Sequence, residues 1–145
     1  MSTLSLYDKD FYAWTQEQAR LIKNKEVDKL DLMHLLEEVE SMGVSEVREL
    51  ESRLEVLLTH LLKWKYQPNL QSKSWQLTIK EQRNRIKRRI KKMPSLQVAL
   101  PDTFNDSYED AIYTAARETG LSEKTFPQQC EWTIDEVLSD DFFPN

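Results

Sequence analysis

Between Val47 and Leu62, apolar side chains recur every three or four residues, at Val47, Leu50, Leu54, Leu57, Leu58, Leu61 and Leu62. An α-helix turns once per 3.6 residues, so this spacing gathers them on one side of a helix, whereas a strand would scatter them over both faces. A stripe that long cannot be left in water. It commits the chain to packing helix against helix.

The same period recurs elsewhere. Phe11, Trp14, Leu21 and Ile22 predict a first amphipathic helix over residues 8–24. Leu32, Leu35, Leu36, Val39 and Met42 predict a second over 31–42, with Asp31 as N-cap and Gly43 as the stop. The Val47 stripe gives a third, from Ser45 to Tyr66 ahead of Pro68. A fourth runs from Ser74 to Met93, its seam formed by Trp75, Ile79, Gln82, Ile86, Ile90 and Met93, and ends at Pro94. A fifth follows Pro101, spans Asp102–Thr119 and closes on Gly120. Thr133-Ile-Asp-Glu136 has capping-box spacing and opens a short C-terminal helix. No segment alternates with a two-residue period and no linker interrupts the chain. The prediction is an all-α protein, one domain over residues 1–145, built as a compact bundle of five main helices plus the short last one.

With only two glycines, Gly43 and Gly120, no Gly-rich phosphate loop or dinucleotide fingerprint can be assembled. Two histidines rule out a three-histidine zinc site, and no cofactor or resident metal is expected. The single cysteine, Cys130, has no intrachain disulfide partner and reads as a small apolar filler, in keeping with a reducing compartment. The N-terminal decapeptide is too polar for a secretion signal, and no apolar run approaches the roughly 20 residues of a membrane span. The expectation is a cytoplasmic protein with no membrane partner.

The net charge of −5 conceals three blocks. Residues 1–62 hold 7 basic and 13 acidic side chains, 63–93 hold 11 and 1, and 94–145 hold 2 and 11. The middle block is densest at Lys80, Arg83, Arg85, Lys87, Arg88, Arg89, Lys91 and Lys92, on the predicted fourth helix. Such a helix can neutralise nucleic-acid phosphates, with Trp64, Tyr66 and Trp75 nearby as stacking groups. The alternative is that these cations pair with the acidic segments of the same chain. The C-terminal segment holding Trp132, Asp140, Asp141, Phe142 and Phe143 could then be an arm over the basic helix, or a docking segment for another protein.

Three further constellations carry chemistry. Asp31, His34 and Glu38 share a side of the second helix, where they could hold a divalent ion, although capping and rim roles account for them better. Arg53 and His60 lie two turns apart on the third, pairing a charge stabiliser with a general acid or base, as RNA cleavage requires. The Arg-x6-His spacing resembles the motif of the higher-eukaryote-and-prokaryote nucleotide-binding superfamily, helical proteins that include ribonucleases and usually act as dimers. A polar residue commonly follows the arginine there, whereas Leu54 follows it here. Gln82 interrupts an apolar seam and needs a hydrogen-bond partner, with His60, Gln67 or a backbone group in reach.

Longer motifs carry a second resemblance: Tyr7-Asp-Lys-Asp-Phe-Tyr-Ala-Trp14, Glu37-Glu-Val-Glu-Ser-Met-Gly43, His60-Leu-Leu-Lys-Trp-Lys-Tyr-Gln-Pro68, Thr78-Ile-Lys-Glu-Gln-Arg83 and Glu118-Thr-Gly-Leu121. With Ser74-Trp75 and Pro94-Ser-Leu96 they make the whole chain similar to the bacterial family catalogued as domain of unknown function twenty-nine. The resemblance implies a helical, stand-alone cytoplasmic protein. It also implies that His60, Lys63, Gln67, Trp75, Gln82 and Arg83 belong to the family pattern. Two functions follow as expectations: nucleic-acid association through the basic helix, with Arg53 and His60 for any cleavage, or a non-catalytic module that binds another protein or a second copy as a homodimer.

Overall fold

The computed structural model describes residues 5–145. Every regular element among them is helical, and they fall into two compact units, one up to Val44 and one of residues 45–145.

In the first unit Ser5 caps the single turn α1 (Leu6–Lys9). Asp10 leaves helical geometry at φ −152° and accepts from the Ala13 amide, which makes it the N-cap of α2 (Phe11–Lys23). The expected first helix is therefore two, divided where an aspartate side chain outcompetes the helical backbone. Lys25, at φ 59°, turns the chain out of α2 into a 3-10 turn at Val27–Lys29. Buried here are Trp14, Gln18 and Leu21.

The long helix α3 (Leu32–Tyr66) replaces the expected second and third helices. Gly43 does not stop it. A glycine ends a helix when its backbone turns left-handed, but Gly43 keeps helical geometry and only Gly120, at φ 76°, takes the left-handed cap. Four long helices thus stand in place of five.

The second unit packs the C-terminal part of α3 with α4 (Lys73–Lys92), α5 (Leu96–Thr119) and the short α6 (Ile134–Leu138). Leu50, Leu54, Leu57, Leu58 and Leu61 are wholly buried, with Ile79, Ile86, Ala111, Ala115 and Val137 against them. The leucine stripe of α3 is the spine of this core. Helix α5 begins six residues before the expected boundary and carries Pro101 inside it. Proline deprives the carbonyl four residues back of its donor, but Gln97 and Pro101 are both exposed, so water can serve that carbonyl. Burial of Leu96 and Leu100 holds the added turn in place. At α6 the capping box forms as predicted, with the Thr133 and Glu136 side chains each meeting the other's backbone N–H.

Candidate functional site

Helix α4 starts at Ser72, whose hydroxyl accepts from the Trp75 amide, and its buried seam is Ile79, Arg83 and Ile86. Arg83 was expected on the phosphate-binding surface. It lies instead inside the second unit, 1% exposed, because it falls four residues after Ile79 and three before Ile86, on the apolar side of the helix. Its guanidinium donates to the carbonyls of Val137 (2.7 Å) and Phe142 (2.6 Å), and at 3.4 Å to that of Asp140. Burial pushes its pKa down, and Asp140 and Asp141 counter the shift. Arginine keeps its charge in such a place and spreads it over several carbonyls.

The remaining cations of the basic block sort into two groups. Lys87 pairs with Asp140 at 2.9 Å, Arg85 with Glu81 at 2.8 Å, and Arg89 with Glu46 and, at 3.9 Å, Glu49. Lys63 reaches Glu118 (2.9 Å) and Lys65 reaches Glu131 (3.2 Å). Lys73, Lys80, Arg88, Lys91 and Lys92 are exposed and have no ion-pair partner among the described residues. Lys73, Leu77, Lys80, Asn84, Arg88 and Lys91 follow one another at three- or four-residue steps. At 3.6 residues per turn they form one stripe opposite the buried seam, roughly 27 Å long at 1.5 Å per residue. A shallow, open depression of about 470 Å³ lies in its middle part, among Leu77, Lys80, Glu81, Asn84, Arg85 and Arg88.

The aromatic residues near this block have divided roles. Trp64 packs on Phe143 and Tyr66 on Phe126, so both serve the core. Trp75 is half-buried beneath the Lys63 ammonium, 4.9 Å from the ring centroid.

A family model described as Domain of unknown function DUF29 matches residues 6–143. The chain belongs to the DUF29 family. No curated protein and no solved structure matches it.

Several residues of the DUF29 resemblance are joined in this structure. Lys63 links Trp75 to Glu118, and Gln82 finds its partner in Arg53, whose Nη1 donates to Oε1 at 3.4 Å. Arg53 is also held by Glu49 at 2.8 Å. His60 lies elsewhere on α3. Its Nδ1 is 2.8 Å from the Val56 carbonyl, an acceptor only, so Nδ1 carries the proton and Nε2 the lone pair. Burial lowers the His60 pKa, chiefly through loss of solvent around the charged form. No hydrogen bond connects Arg53 with His60 among the described residues, and two helical turns separate them by roughly 10 Å.

In the first unit, Asp31 accepts from the Trp14 indole (2.9 Å) and contacts His34 Nδ1 at 2.7 Å, while Glu38 accepts from the Tyr7 hydroxyl at 2.5 Å. The His34 ring stacks on Tyr7 with centroids 4.1 Å apart. Hydrogen bonding to Asp31 raises the His34 pKa, and the bond to Glu38 pushes the Tyr7 phenol up to about 12. The three residues weighed as metal ligands are thus occupied in tying the unit together, and no group of three ligating side chains gathers among the described residues. The Cys130 thiol, pushed up by burial, is a poor nucleophile at neutral pH.

Proposed function

We propose that the protein binds the phosphate backbone of nucleic acid along the outer stripe of α4 and does so without catalysing a reaction. One observation carries this reading. In a chain with 25 carboxylates, five cations of one helix have no ion-pair partner among the described residues, and four of them line a single stripe. Intramolecular pairing accounts for Arg85, Lys87 and Arg89 and leaves that stripe unexplained. The side chains of Leu77 and Asn84 between the cations give a sugar or base edge something neutral to lie on. Catalysis through Arg53 and His60 draws no support from their separate engagements.

A titration of labelled duplex DNA and single-stranded RNA tests the reading. With four phosphates neutralised, affinity for duplex should fall roughly 100-fold between 50 and 200 mM salt, and somewhat less for single strands. The triple variant Lys80→Glu, Arg88→Glu, Lys91→Glu should abolish binding with helix content unchanged. Absence of binding at 50 mM salt would overturn the proposal.

A further inference from the structure

We infer that the N-terminal part of α3 is a self-association surface, and that its occupant is the same face of a second copy of this chain. Leu32, Leu36, Val39 and Gly43 are spaced four, three and four residues apart, which places them within roughly 60° of the helix circumference. This is the seam spacing with which helices pack lengthwise on one another. With Met33 and Met42 beside them, the apolar members are 57–69% exposed. At on the order of 100 Å² each, five such side chains offer about 500 Å² of apolar surface. That is the size of the largest apolar patches on single-chain proteins, which are often functional. It is also close to the apolar share of the ~800 Å² that each partner buries in a standard homodimer interface.

Gly43 is the second observation. Its backbone is helical, it caps nothing, and no atom outside its own helix lies within 4 Å of where a Cβ would stand. Within one chain the glycine only weakens the helix. In the middle of an apolar seam it lets another helix backbone approach closely. Glu40 borders the seam and disfavours nucleic acid or an anionic membrane there, and in about 0.3 M salt its repulsion towards the same residue of a second copy is largely screened, so an apolar protein face is the fitting partner. A second copy presents that face at equal concentration, and identical faces close into a two-fold pair that leaves neither seam open.

Sedimentation velocity of the full chain, from about 1 to 100 µM in about 0.3 M salt without nucleic acid, tests this independently of the α4 stripe, whose phosphate binding is weak at that ionic strength. The expected result is twice the chain mass at the upper concentrations. Leu36→Glu should return the mass to that of one chain with unchanged circular dichroism. Gly43→Leu should do the same even though leucine favours helix, a combination that unfolding cannot produce. A wild-type chain that stays monomeric to 100 µM overturns the inference, as does a dimer that both variants leave intact.

Discussion

Arg83 shows how much one side chain can determine. Replacing it with methionine would keep the packing of its stem but leave the Val137 and Phe142 carbonyls without their donor. At about 1–3 kcal/mol for each group left unpaired, the loss should be about 2–6 kcal/mol, read from urea unfolding. Lys80→Met, on the exposed side of the same helix, should change stability by less than about 0.5 kcal/mol. The two histidines make a second pair. His34 should titrate above the ordinary histidine value and His60 below it, as seen in the pH dependence of their ring resonances by NMR. The linkage has opposite signs. The His34 contribution is complete below its unfolded value of 6.5 and is lost as pH rises through its raised folded value. For His60 the folded form resists protonation, so stability declines as pH falls from 6.5 towards its lowered folded value. Acidification should therefore strengthen amide protection around His34 and weaken it around His60. Of these roles, that of Arg83 was open to reading from its place between Ile79 and Ile86. The bond from Asp31 to Trp14 spans 17 residues and no spacing rule reaches it.

At the scale of elements, periodicity was a sound guide to which segments are helical and a poorer one to where they end. Gly120 and the Thr133 capping box mark boundaries because the backbone there adopts the cap geometry. Gly43 and Pro101 are also of residue types that commonly end helices, yet α3 and α5 run through them. A punctuating residue permits an ending, and the packing on either side decides whether one occurs. Since nothing crowds Gly43, Gly43→Ala should stabilise α3 by about 1 kcal/mol in thermal unfolding at concentrations where the chain is monomeric. The burial of α4 was legible only in part. Its thin apolar seam was evident, but the division of its cations between paired and unpaired depends on carboxylates brought from Glu46, Glu49 and Asp140.

For the whole molecule, the three charge blocks become a partial neutralisation. The acidic C-terminal segment lies against α4 through Asp140, one of the two arrangements its composition allowed. Asp140→Asn should free Lys87, add about one phosphate contact to the proposed nucleic-acid complex and steepen its salt dependence by about 0.9 in log–log slope. A slope that stays the same would mean Lys87 faces away from the ligand. No described helix is long and apolar enough to cross a membrane. The grip of Arg83 on residues 54 to 59 positions later in the chain also sets a clock. At about 5–20 residues per second on the ribosome, the guanidinium waits roughly 3–12 s for its carbonyls to be synthesised. During that interval the nascent second unit has a charged hole in its core, which makes it a candidate client for chaperones until the last helix arrives.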